Sequence, residues 1–481
     1  MLDSTTVILW LVVFAGLYAV LGLYYNGKHQ GTLDDFIVAR NSQGSQATFA
    51  TLLATTMGTW ILFGPAESAV WGGVGAIAGY ALGTLAPSFL MVPLGVRLRR
   101  IMPNGYALTE FVRVRYGNGV YGFVSFIMLF YMFIGLTAGL TGIAQLVALV
   151  APIPLWITAS IVMVATLAYT LGGGLKVSIF TDRIQLLVIL PFIAILLLLG
   201  WQYTGGMKPV FDGLVEKAPQ LLDPFDTQGL ETGITFFLAV GLTGLFYQGT
   251  WQRIFAARNS RTLLKGFVFS GLLSFPVIAA MGLFGLAFVG LSLPGDGSTA
   301  LFTIVLNEAP YWLMVGIILF GLALIMSSAD STISGLNSLF IVDFRRMFPR
   351  MNASELKVIS RYLLVILSMI ALYVASQGLS ILYLFLLADL LCCAAAFPVF
   401  FGFYSQRYQS YQAIIGILSG IVAGLFFFPL PGEAALHLYE AFLLATFVPV
   451  VVSLVLLLLP VSKRFEFSTV AKQTELLFSG K

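Results

Sequence analysis

Apolar runs of about twenty residues recur from one end of this chain to the other, and no other feature restricts its fold so strongly. Roughly 20 apolar residues carry a helix across a bilayer core, where lipid offers the backbone no partner and each peptide group must be satisfied within the chain. Of the 481 residues, 59% are hydrophobic and only 10% are charged. The expected class is an all-α polytopic membrane protein. Reading apolar runs between Gly, Pro and charge breaks gives thirteen candidate spans, at about 5–26, 46–70, 74–96, 119–148, 154–172, 180–203, 233–256, 263–292, 308–342, 357–376, 379–403, 410–428 and 437–460. The first span lacks a basic leader and an A-x-A cleavage site, so it is read as retained.

Charge placement supports that count. With the amino terminus outside, alternate connections put 23 of the 25 lysines and arginines inside and leave only Lys208 and Lys217 outside, as the positive-inside rule requires. One missed span would scramble the split. The longest connection, 203–233, is acidic and too short for a soluble catalytic domain, and the tail 461–481 is polar and basic, so residues 1–481 are read as a single membrane domain. A net charge of +4 reflects cytoplasmic loops and gives no reason to expect nucleic acid. The two cysteines, Cys392 and Cys393, are adjacent in an apolar run and imply neither a disulfide framework nor a metal site. His29 and His437 both fall in predicted loops or helix ends, which argues against an enzyme.

Polar residues inside the apolar runs point to function, since an unpartnered polar group in hydrocarbon costs several kcal/mol. In "LIMSSADSTISGLNS" (324–338), Ser327, Ser331, Ser334 and Ser338 step by 4, 3 and 4, which makes one stripe on one helix face with Asp330 beside it. The stripe runs from mid-membrane towards the cytoplasmic end and is expected to line a path inward. Close helix packing by small residues is the competing reading. In "ATTMGTWILFGPAESAVWGGVG" (54–75), Gly58, Gly64 and Pro65 interrupt a spanning run, and a helix broken at membrane depth exposes carbonyls that can ligate a cation. An ordinary kink would leave the same trace. Carbonyls from such a break plus the hydroxyls of Ser327 and Ser328 would supply about five oxygen ligands, a set suited to Na⁺. In "YTLGGGLKVSIFTDRIQ" (169–185), the glycines read as a turn between spans, and Asp182 reads either as a helix cap or as part of an ion path.

These stretches carry a resemblance. "YTLGGGLKVSIFTDRIQ", "ALTEFVRVRYG" (107–117), "LIMSSADS" and "DDFIVARNSQG" (34–44, with Ala39 where a glycine is usual) resemble, in order, the signatures of the sodium:solute symporter family. The resemblance implies a leading helix at 5–26, a core at 46–403 of ten helices in two inverted repeats of five with a broken first core helix, and two extra helices at 410–460. It also implies a multi-pass protein of the plasma membrane with its amino terminus outside and its tail cytoplasmic. Na⁺ would be the coupling ion, and the partners would be a small solute, Na⁺ and the lipid bilayer, with a single chain as the working unit. By position, the resemblance places the main Na⁺ site at the carbonyls of Ala54, Met57 and Leu324 and the hydroxyls of Ser327 and Ser328. It suggests a second ion site at Asp182, Asp330 and Ser331, where Asp330 replaces a usual serine and could strengthen the site, titrate or pair with Arg183.

For the solute, the resemblance points to Thr56, Thr59, Trp60 and Phe63, then Phe246, Tyr247, Gln248 and Trp251, then Asp389. Trp60, Tyr247 and Gln248 are the favoured contacts. Asp389 has no basic residue in its own helix, so it bonds hydroxyls, sits protonated or meets a cationic or amine-bearing solute. Glu67 either acts at an outer vestibule or is simply solvated. "YQGTWQRIFAARN" (247–259) is similar to the urea and polyamine branch, and Thr56 stands where proline carriers place an aspartate. The function expected is sodium-coupled symport of a small polar organic solute by alternating access, with a transporter-like solute sensor or a proton-coupled symporter as alternatives.

Overall fold

The computed structural model describes residues 2–28, 31–430, 437–460 and 464–474. The sequence calls at His29, Lys463 and Lys481 lie outside the described residues. Eleven helices are long and apolar enough to cross a membrane. In order come α1 (Ser4–Lys28), the short α2 (Leu33–Ile37) and α3 (Ser45–Thr56), then α4 (Gly64–Ile101), α5 (Leu108–Tyr116), α6 (Asn118–Val150) and α7 (Leu155–Tyr203). The chain continues through α8 (Met207–Lys217), α9 (Thr227–Thr243), α10 (Gln248–Ala256), α11 (Ser260–Gly290), α12 (Ala300–Leu306) and α13 (Tyr311–Met347). It closes with α14 (Ala353–Ser376), α15 (Ile381–Phe401), α16 (Ser410–Phe427), α17 (Leu438–Leu456) and α18 (Ser468–Gln473).

Eleven long helices and thirteen expected spans agree once the glycines are considered. Within α7, Gly174 takes φ 57° and ψ −154°, and a Cβ there would meet the Phe36 carbonyl at 2.4 Å, so only glycine can turn the chain at that point. In α4, Gly73 takes φ 56° against the Leu221 backbone. The chain doubles back there: Ala66 and Ala69 lie against Gly285, while Ile77, past the turn, lies against Gly282. Each of α4 and α7 therefore holds parts of two passes. The first of the two passes in α4 is completed by α3 and a 3-10 turn at Thr59–Leu62.

The seventh pass differs from the continuous span 233–256 expected from sequence. α9 ends at Thr243, a single 3-10 turn follows at Gly244–Phe246, and α10 starts at Gln248. Both first members of the two five-pass repeats are thus interrupted at mid-length, as inverted repeats demand of their equivalent elements. Gly79 makes the close packing of α4 on α9 possible, since a Cβ there would lie 1.9 Å from the Gly233 carbonyl oxygen. The long helices α13 and α15 form the centre, with 72% of their spanning windows buried, against 33% for α1, α16 and α17 at the periphery.

One end of the bundle is basic, and its loops are clasped together. Glu110 caps α5 by accepting from the amides of Tyr106 (2.6 Å) and Ala107 (3.2 Å), and it is ion-paired to Arg346 at the end of α13. Arg115 donates to the carbonyls of Ser405 (2.7 Å) and Tyr408 (2.6 Å) between α15 and α16. The strip before α3 pairs with the end of α10, Asn41 N donating to Phe255 O and Gln43 N to Ala256 O. These clasps account for the polar residues of the 107–117 and 34–44 stretches as fasteners of the bundle.

Candidate functional site

α3 stops because its next turn cannot close. Gly58 N, which would donate to Ala54 O, donates instead to Thr56 O at 3.1 Å, and the indole Nε1 of Trp60 donates to the same carbonyl at 3.2 Å. The Ala54 carbonyl is left for α13: Ser327 Oγ lies 3.0 Å from Ala54 O and 3.0 Å from Leu324 O. Ser328 Oγ lies 3.1 Å from Leu324 O. It also borders the break, since a Cβ on Gly58 would come within 3.3 Å of it. Ala54, Leu324, Ser327 and Ser328 thus converge, with the buried Met57 between Ala54 and Gly58 in the broken stretch. All five expected donors are uncharged oxygens, a hard set that fits a monovalent cation needing both capture and release.

Below this point the structure differs from the expected second ion site. Asp182 is neither a helix cap nor a free ligand. It is fully buried and held by Arg253 of α10, whose Nη2 lies 2.9 Å from its Oδ2. The same guanidinium donates to Thr51 Oγ1 (2.8 Å), Ser331 Oγ (2.6 Å) and Gly249 O (2.9 Å), while Thr51 donates to Asp182 as well. Arg253 therefore ties α10 to α3, α7 and α13. Asp330 does not pair with Arg183, which donates to Gln43 instead. It accepts from Tyr169 OH (2.9 Å), Ser178 Oγ (2.8 Å) and Thr181 Oγ1 (2.8 Å), all residues of the 169–185 stretch. The buried cluster thus holds two carboxyl groups and one guanidinium, and among the described residues Asp182 Oδ1 has no hydrogen-bond partner.

The serine stripe is buried throughout rather than open to a path. Ser331 meets Arg253, Ser334 receives Gln252 Nε2 on its carbonyl (3.3 Å) and Ser338 Oγ lies 3.4 Å from Gln248 Nε2. α10 therefore covers the stripe and shuts the molecule at its basic end. The sequence alone did not single out Gln252 or Arg253 as polar partners of the stripe.

A cavity of ≈ 180 Å³ lies where the two interrupted passes meet α6, α13 and α15. Of the residues expected at the solute, Thr56, Thr59, Trp60, Tyr247 and Asp389 line it. Three do not. Phe63 is buried against Phe302, Trp251 donates to Leu245 O (2.8 Å) and stacks on Phe400, and Gln248 donates to Tyr106 O (2.9 Å). Phe246, also on Phe400, is packing too. The break in the seventh pass accounts for Gln248 and Trp251, whose side of α10 meets Tyr106 and Phe400, while Thr250 of the same helix lines the cavity. Tyr80, Tyr131 and Phe236 line the cavity without having been singled out, and Trp60, Tyr80 and Phe236 form a continuous row at centroid spacings of 5.8 and 5.0 Å. At the end away from the basic loops, a second recess shares Phe236 and Leu386 with the cavity and contains Glu67, which places that carboxylate at a vestibule.

Comparison with known proteins agrees with this architecture. The profile of the sodium:solute symporter family matches residues 36–420. The spermidine transporter DUR31 of Candida albicans is 25% identical over 82% of this chain and 74% of its own length. A probable urea active transporter of Schizosaccharomyces pombe is 24% identical (83% and 66%), and sodium/glucose cotransporter 4 of Danio rerio 23% (88% and 71%). The chain thus spans about two-thirds to three-quarters of these relatives. Among solved structures, a substrate-bound, outward-open Na⁺-coupled sialic acid symporter superposes with a TM-score of 0.76 at 16% identity, covering 95% of this chain and 98% of that one. The nucleobase-cation-symport-1 transporter Mhp1, in a closed conformation, gives 0.58 at 14% identity, covering 91% and 98%. With its profile match, its thirteen passes and its paired interruptions, the chain belongs to the sodium:solute symporter family.

Proposed function

We propose that this protein carries a small polar organic solute into the cell together with Na⁺, by alternating access. The observation that carries the reading is Ser327, whose hydroxyl bridges the open Ala54 carbonyl of the first interrupted pass and Leu324 of α13 at 3.0 Å each. Na⁺ at that point would be shared by two elements that belong to different repeats. Binding would hold them together, and Ser328 and Thr56 on the cavity side would transmit that order to the solute. The positive-inside rule puts the basic end in the cytoplasm and the amino terminus outside. α10 then stands as the inner closure and Phe236 and Leu386 as the outer partition. Release needs α10 to leave the serine stripe, after which low cytoplasmic Na⁺ and the membrane potential, worth about 2.3 kcal/mol per charge per 100 mV, draw the ion inward.

No bond changes in this cycle, so its currency is differential binding between two states. The test is uptake into proteoliposomes of a radiolabelled solute chosen by thermal-shift screening. An inward Na⁺ gradient should drive accumulation above equilibrium, and collapse of the gradient with a Na⁺ ionophore should abolish it. Solute binding with no accumulation under any gradient would instead favour a sensor.

A further inference from the structure

Three buried carboxylates lie in the membrane-spanning core, and two of them are provided for. Asp182 has Arg253 at 2.9 Å and Asp330 has three hydroxyl donors within 2.9 Å. Asp389 has neither: it is 4% exposed, and among the described residues it makes no ion pair or hydrogen bond. The contrast is sharpened by the repeat. Asp182 follows the Gly174 turn by eight residues in the fifth pass of the first repeat, and Asp389 follows Ile381 by eight in the fifth pass of the second. One has a cation from the protein, and the other faces the cavity.

Its surroundings decide what it faces. No lysine, arginine or histidine lines the cavity, and Asp389 is the one acidic residue among the lining residues. Trp60, Tyr80, Tyr131, Phe236 and Tyr247 supply aromatic rings, and Tyr80 and Tyr131 are near enough to Asp389 to interact with it electrostatically. The adjoining vestibule repeats the bias, carrying Glu67 and Glu231 and, among the described residues, no basic side chain. A lone carboxylate in a buried space lined by rings and hydroxyls is costly when ionised with no cation to pair with it, and rings attract cations over their faces. An anionic solute would be repelled at both stages. A neutral polyol would satisfy the carboxylate but gain nothing from the ring quadrupoles or from the acidic entry.

We infer that the solute is a small organic cation, an amine or quaternary ammonium whose charge is held by Asp389 among the rings of Trp60, Tyr80 and Tyr131. This rests on the symporter reading above and names its substrate class.

A four-carbon series isolates charge at constant length: putrescine, 1,4-butanediol and succinate, with choline as a second cation. Binding to purified full-length protein would be followed by isothermal titration and thermal shift, with and without Na⁺. Putrescine or choline should bind and the diol and succinate should not. Asp389→Asn should weaken the cation roughly ten- to a hundredfold, the span expected for one lost charged hydrogen bond, and Asp389→Glu should recover part of it. Na⁺ alone should still stabilise Asp389→Asn, which shows that its fold and ion site persist. Equal binding of the diol, cation binding unchanged in Asp389→Asn, or no binding by either cation would overturn the inference. The two readings fail separately: cation binding indifferent to Na⁺ removes the coupling and keeps the substrate class, whereas Na⁺ stabilisation without cation binding does the reverse.

Discussion

Single residues in this protein are judged by what stands opposite them. Ser327 and Ser328 are neighbours of one type, yet Ser327 is fully buried and reaches Ala54 O, while Ser328 lines the cavity. The proposed ion and solute sites therefore have adjoining side chains of one helix turn. Ala39 is a different case. The resemblance expects glycine there, and Ala39 takes φ 45°, in the left-handed region that an L side chain adopts at a cost of about 1–2 kcal/mol. Part of that cost returns as unfolded-state entropy when glycine replaces alanine. Ala39→Gly should therefore raise stability by up to about 1 kcal/mol, seen as a higher thermal midpoint in detergent. A lower midpoint would mean that packing of the buried methyl outweighs the backbone term.

At the scale of elements, the proposed cycle turns on α10. Its Gln248, Gln252 and Arg253 cover the serine stripe, and Arg253 alone touches three other elements. Breaking one side of a buried pair costs roughly 3–5 kcal/mol, so this closure is held firmly until something competes for its partners. Ser334 reports on it directly. In a chain with Cys392 and Cys393 replaced by alanine, Ser334→Cys should react slowly with a thiol reagent applied from the basic side in Na⁺, and at least about tenfold faster without Na⁺. Equal rates in both conditions would mean that α10 does not open there. The stripe was legible in sequence because a 4, 3, 4 spacing leaves one helical solution. Its covering was not, since contact between residues 253 and 331 depends on how α10 turns after the break at 244–247, and a three-residue 3-10 turn leaves no hydropathy signal.

The whole molecule is two five-pass repeats with interruptions that meet in the middle, flanked by α1 on one side and by α16 and α17 on the other. Much of this plan could be read from residues. Apolar run length gave the passes, and Gly174 and Gly73 stood where the chain doubles back. Gly58 and Pro65 marked the first interruption. The second carried no proline, so it read as a continuous span and put Gln248 and Trp251 with the solute contacts, whereas in the bundle they bond to Tyr106 O and Leu245 O. Asp389 shows the limit clearly: its solitude in its own helix was visible, but only the assembled bundle shows that no other helix brings it a partner.

The central claim is that Na⁺ bridges the first interruption and α13, and equilibrium binding of ²²Na⁺ to the purified protein tests it without requiring a solute. Ser327→Ala should need at least roughly tenfold more Na⁺ for half-saturation of the tightest phase, in line with losing one ligating hydroxyl, at unchanged thermal stability in the absence of Na⁺. Parent and Ser327→Ala curves that superimpose would contradict the account.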